Sequence, residues 1–171
     1  MKSLKYIAIL AVLLCWGSPC LGGSQKETLH GIKNIEVVVQ KMKSYEAKKL
    51  GLTENVLQTE VELKLKTVGI NVLSEEESFD IPGSPWLNVN VTLIKNPSGG
   101  LFFNIVIMLH QDAILRNNPE KSFDAVTWHN ESMGYAPDNT LAEQIRDALK
   151  GQVDRFTNDF LSVNPIQKKK K

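Results

Sequence analysis

The chain holds 171 residues, 42% of them apolar, enough to bury a core of its own, which excludes a disordered chain and a disulfide-stapled miniprotein. Its 20 basic side chains are balanced by 19 acidic ones, which disfavours nucleic-acid binding through a strongly basic surface.

Residues 1–23 begin with Lys2 and Lys5, run apolar from Tyr6 to Trp16, and end in small residues around Gly17-Ser18 and Gly22-Gly23. That is the layout of a secretory signal peptide, and its apolar run is too short for a bilayer span; an uncleaved anchor is the disfavoured alternative. Cleavage is expected near Gly22 or Gly23. Both cysteines, Cys15 and Cys20, lie in this segment behind Leu14 and Pro19, not behind the small residue that usually precedes a lipidated cysteine. The expected product is a soluble exported protein, periplasmic or extracellular, with no disulfide, thiolate nucleophile or cysteine-ligated metal. Lys2 and Lys5 are the charged side chains of 1–23, so the remainder carries 18 basic against 19 acidic groups, and −5 without Lys168–Lys171.

From residue 24 a polar stretch leads to Ile35, Val37 and Val39, alternating with Glu36, Val38 and Gln40 in a strand rhythm. A charged connection, Lys41–Gly51, precedes Thr53, a helix N-cap. Behind it Val56, Leu57, Val61, Leu65 and Val68 fall at helical spacing. Gly69 suits the left-handed residue that ends a helix, with Ile70 as its apolar companion. A short strand over Ile70–Leu73 would close a βα unit onto the sheet. Ser74–Pro85 reads as an acidic loop.

Leu87, Val89, Val91 and Leu93 then alternate with Asn88, Asn90 and Thr92, a half-buried strand. After the turn Asn96–Gly100, Leu101–Leu109 is apolar on both faces. Such a strand is central and covered twice, or covered once and free for an interface. Arg116–Glu120 turns the chain, and Phe123–His129 is a further strand. Thr140 and Glu143 have capping-box spacing. Leu141, Ile145, Leu149, Val153, Phe156 and Phe160 form one apolar stripe on a helix of about six turns. The order β-α-β-β-β-β-α predicts an α+β two-layer sandwich, a mostly antiparallel sheet with two helices on one face. The expected domains are the leader 1–23, one α+β domain over 24–165 and a basic disordered tail over 166–171.

The segments Leu29–Val39 and Leu57–Glu77, with Gly69-Ile70-x-Val72-Leu73-Ser74-Glu75-Glu76-Glu77 as the most specific block, resemble a family of short exported bacterial proteins of unknown function. Pro82–Val91, Thr127-Trp128 and Asp154–Pro165 continue that resemblance. It carries no site residues. The order of elements looks, in architecture alone, like TolB amino-terminal and LptE-like envelope domains, and fold does not give function.

No chemistry-bearing constellation stands out. His30, His110 and His129 lack metal-motif spacing, and a satisfied or solvent-facing histidine is the default for each. Glu75–Glu77 with Asp80 lacks the donor alternation of a calcium loop. Ser84, Ser98 and Ser132 lie outside any nucleophile elbow, and Gly99-Gly100 leads into a strand, not a phosphate-cradling helix. Asn90 and Asn130 begin glycosylation sequons that matter only in a eukaryotic secretory pathway. The lysine tail could touch anionic lipid, although a terminal charge run is more often a solvated end.

The aromatics remain: Trp86, Trp128 next to His129, and the pair Phe102-Phe103, which puts one ring on each sheet face. These five are the candidate binding residues. The expected function is a non-enzymatic exported domain, without cofactor, that binds a protein partner in the cell envelope through an uncovered sheet face or sheet edge. The alternative is a small apolar or lipid-like ligand held near Trp86 and Trp128, and less so a hydrolase built on His129 or His110.

Overall fold

Alternation along the strands and four-residue steps along the helices dictate two layers. In the computed structural model, residues 24–165 apart from 43, 79, 82 and 84 are described; the expected leader and lysine tail lie outside the described residues. Strands β1 (Asn34–Val39), β2 (Asn71–Leu73), β3 (Trp86–Lys95), β4 (Leu101–Leu115) and β5 (Asn118–Ala136) form one sheet in the order β2-β1-β3-β4-β5. β1 runs parallel to β2 and β3, while the much longer ladders β3–β4 and β4–β5 are antiparallel. Two long helices, α2 (Glu54–Thr67) and α4 (Leu141–Val163), pack on one face, giving the expected α+β sandwich. No helix among the described residues is long and apolar enough to cross a membrane.

α2 begins as its sequence requires. Thr53 is extended, and its Oγ1 accepts from the Val56 N–H at 3.4 Å. At the other end Gly69 takes φ +86°, so that Ile70 N–H reaches Leu65 O (3.2 Å) and Gly69 N–H reaches Lys66 O (3.1 Å). That Schellman pair turns the chain into β2 and buries Ile70. The whole predicted stripe of α4, from Leu141 to Phe160, is buried, each such side chain contributing roughly 1.5–3 kcal/mol by removal from water.

The structure corrects four expectations. The capping box does not form. Thr140 already has helical backbone (φ −116°, ψ −1°) and caps nothing with its side chain. A turn from Pro137, closed by Thr140 N–H to Pro137 O at 3.1 Å, starts the helix instead. The charged connection Lys41–Gly51 contains a short helix, α1 (Tyr45–Lys49), and the acidic loop contains another, α3 (Glu75–Ser78). Ser78 of α3 is buried because its hydroxyl donates to Glu36 Oε2 at 2.6 Å. Finally, β4 extends to Leu115, and β5 covers Asn118–Ala136 in place of the predicted Phe123–His129.

Candidate functional site

Period-two alternation assigns each residue of the β3–β4–β5 meander to a face. Leu87, Val89, Phe103, Ile105, Ile107 and Leu109 face the helices and are buried. The other face carries Trp86, Asn88, Asn90, Thr92 and Ile94 from β3, opposite His110, Met108, Val106, Asn104 and Phe102 from β4. β5 adds His129, Glu131, Met133 and Tyr135 to the same face. Neither long helix covers it.

Two regions of this free face differ in character. At one end Ile94 pairs with Phe102, and Phe102 with Tyr135, the two rings lying 5.4 Å apart. Met133 stands one row away, opposite Asn104. Ile94, Phe102, Met133 and Tyr135 are 62%, 44%, 79% and 46% exposed, an apolar patch in contact with water. At the other end, eight residues and about 26 Å along β3, Trp86 stacks on His110 with centroids 4.0 Å apart. His110 Nδ1 lies 2.9 Å from Asp124 Oδ2, while its Nε2 is buried without a hydrogen-bond partner among the described residues.

The five candidate residues therefore separate. Trp86, Phe102 and His129 share the free face, although Trp86 and Phe102 lie at opposite ends of it. Phe103 and Trp128 belong to the core. Trp128 meets Phe156 edge-on at 5.0 Å, and its Nε1–H donates to Asp159 Oδ2 at 2.9 Å. The space expected to hold an apolar ligand near Trp86 and Trp128 is thus filled by the protein's own rings. A groove lies elsewhere, between α2 and α4, lined by Val61, Leu63, Leu149 and Val153 and also by charged side chains, two of which, Arg146 and Glu60, pair across it at 3.5 Å. Phe103 lies over Gly134, its directly paired neighbour on β5. Ile94, Met133 and Tyr135 escape sequence reading, because the last two sit on the unpredicted half of β5.

The chemistry of the His110 end is limited. Ser98 is in the β3–β4 turn at the far end of the sheet, and Ser132 Oγ accepts from Gln152 Nε2 at 2.6 Å. Among the described residues no group of three or more His, Cys, Asp or Glu side chains is placed to hold a metal ion.

The outer edge of β5 is partly closed. A bulge between Leu109 and His110 leaves Thr127 outside the ladder. The 3-10 turn Gln25–Leu29 packs there: Thr28 Oγ1 donates to Thr127 O at 3.2 Å, and His129 N–H donates to Gln25 Oε1 at 3.1 Å. Asn164, beyond α4, pins that turn by accepting from Gly31 N–H and donating to Leu29 O, both at 2.8 Å.

No protein-family model matches the chain, and no curated protein matches it. Among solved structures it is similar to a minor lipoprotein from Acinetobacter baumannii, with 12% identity, a TM-score of 0.40, and coverage of 79% of this chain and 95% of that one. It is also similar to the PelC dodecamer from Paraburkholderia phytofirmans, at 13% identity and a TM-score of 0.37 over 81% of this chain and 90% of that one. A hemagglutinin homolog from Helicobacter pylori matches at 11% identity and a TM-score of 0.34, covering 76% and 86%. None carries the TolB or LptE name that the order of elements suggested, and none is similar enough for its function to transfer.

Proposed function

We propose that this chain is an exported, non-enzymatic domain that binds a protein partner in the cell envelope through the helix-free face of its sheet. One observation supports the reading above the others: Ile94, Phe102, Met133 and Tyr135 gather at one end of that face and remain open to water. Contiguous exposed apolar side chains on a folded domain mark contact surfaces more often than chance. Aromatic and methionine side chains are also the types enriched in protein interfaces.

The neighbouring rings of Phe102 and Phe103 make the test internal. Phe103 is buried on the helix side, and Phe102 is exposed on the free side. The tagged protein and its Phe102→Asp variant are used to capture partners from detergent-solubilised envelope of the host, read by mass spectrometry. Phe102→Asp should fold, melt within about 2 °C of the parent and lose the stoichiometric partner. Retention of that partner at full occupancy by a folded Phe102→Asp protein removes the reading.

A lipid-like ligand is the second reading, and the groove between α2 and α4 favours it, with Leu63 58% exposed at its rim. Displacement of an apolar dye by envelope lipid extract, abolished in Leu63→Asp, would support it. No displacement by folded protein would dismiss it.

A further inference from the structure

The outer edge of β5 carries guarding features among its first twelve residues, Asn118 to His129, and none among its last seven, an open window. Edge strands are ordinarily blunted by proline, lysine, bulges or a covering segment. β5 has Pro119 and Lys121 in its distal half, the bulge at Thr127, and Gln25 and Thr28 on the outward groups of His129 and Thr127. From Asn130 to Ala136 none of these devices occurs.

Because bonded and non-bonded pairs alternate in an antiparallel ladder, the outward N–H of His129 fixes the direction of every second residue after it. The register from Trp128 to Ala136 is unbroken, so Glu131, Met133 and Tyr135 also turn their N–H and C=O away from β4. Among the described residues no hydrogen bond reaches these outward groups. The window is bounded at one end by His129, whose N–H is taken by Gln25, and at the other by Pro137, which has no N–H.

We infer that this window is a homodimer interface, in which β5 of a second copy pairs antiparallel about a twofold axis at Met133 and joins the two sheets into one. The register selects the second copy over a foreign strand. With Met133 opposite Met133 of the second copy, Glu131 faces Tyr135, and His129 faces Pro137. The two blocked positions then oppose each other, and every free outward group between them finds a partner. That gives up to about six backbone hydrogen bonds, two for each directly bonded pair. No charge meets its like, because Glu131 lies opposite a tyrosine and not opposite its own copy. The pairing also sets the two apolar patches side by side, each Tyr135 carrying its Phe102 contact to the junction. A twofold, self-complementary patch is the commonest geometry of soluble homo-oligomers.

The inference concerns the backbone of the edge, not the free face, so it stands or falls separately from partner binding at Phe102. Its test uses the full chain with Cys15→Ser and Cys20→Ser, leaving an introduced Met133→Cys as the one thiol. Directly bonded residues of an antiparallel pair have Cα atoms about 5.5 Å apart, inside the range a disulfide bridges. Under mild oxidation Met133→Cys should form a covalent dimer, and Ser122→Cys, on the guarded half of β5, should not. In sedimentation the parent should be dimeric at tens of micromolar. Met133→Pro removes an N–H that no intrachain bond uses, so it should keep its fold yet raise the dimer dissociation constant about 30-fold through two lost hydrogen bonds. Should Met133→Pro disturb the fold, Met133→Lys takes its place by putting two ammonium groups on the axis at a site 79% exposed. A parent monomeric at about 100 μM, a dimer untouched by folded Met133→Pro or Met133→Lys, or a Met133→Cys thiol that links to a different protein would each overturn the inference.

Discussion

Phe103 and Gly134 offer a stringent test of how the meander is packed. They are directly opposed on β4 and β5, and the ring occupies the space a side chain at 134 would need. A Cβ placed on Gly134 would stand 2.7 Å from Phe103 Cε1 and closer still to Cζ, about 1 Å inside an ordinary carbon–carbon contact. The ring is buried on the helix side of the sheet, so it has little room to swing aside. Gly134→Ala should therefore cost about 1–3 kcal/mol as overpacking, even though alanine restricts the unfolded chain and on that count alone would stabilise by about 0.4–1 kcal/mol. Phe103→Leu alone should cost about 1–2 kcal/mol from lost burial and the residual cavity. Together the two should not add: with the ring gone, Gly134→Ala becomes neutral or stabilising, a coupling of at least about 1 kcal/mol. Urea unfolding of the four proteins in the cycle measures this directly. If Gly134→Ala costs the same in both backgrounds, the ring does not lie over the glycine and the register is wrong.

Asp159→Asn should destabilise by about 1 kcal/mol, since the carboxylate that accepts from Trp128 Nε1–H becomes a neutral amide; an unchanged urea midpoint would show the bond to be idle. Gly69→Ala should cost about 1–2 kcal/mol because φ +86° is strained for any residue with a Cβ, and nothing else crowds the site; Gly69→Asn should recover part of the loss. The N–H groups of Glu54 itself and of Met42 hold the Glu54 carboxyl below its ordinary value. A lowered folded value contributes stability that is fully present above the ordinary glutamate range and is lost as the pH falls through the folded value. Glu54→Gln should thus flatten the acid limb of a stability-versus-pH curve, and an identical limb in both proteins would remove this role.

Legibility in the sequence followed burial. The stripe of α4 and the run from Thr53 to Ile70 were readable because their core residues, Leu57, Val61 and Leu65 in α2 and Leu141 to Phe160 in α4, recur at helical spacing, even though Leu63 of α2 is exposed. Half of β5 was not readable. Between Asn130 and Ala136 its core-facing positions are Ser132, Gly134 and Ala136, small residues that leave space for the Phe103 ring and the Gln152 side chain and so carry no hydrophobic signal. Its apolar residues, Met133 and Tyr135, point outward instead, which inverts the pattern that marks a strand. Met133 and Tyr135 of the exposed patch were hidden for the same reason, whereas Phe102 was legible as one of two neighbouring rings on opposite faces. Trp128 shows the converse difficulty: a tryptophan beside a histidine resembles a surface feature in sequence, yet its indole is buried once Asp159 satisfies the N–H.

The guard on the β5 edge also has a consequence for the order of folding. Gln25 and Thr28 close the edge across separations of 104 and 99 residues, and Asn164 holds their turn in place across 133 and 135. Contacts of that span carry the highest loop-closure entropy in the chain and form after local structure is in place. A chain made from its amino terminus presents the guarding turn first but cannot fasten it until residue 164 has been added. For that interval β5 is a complete strand with its outer side bare, and misassembly of newly made copies should begin there.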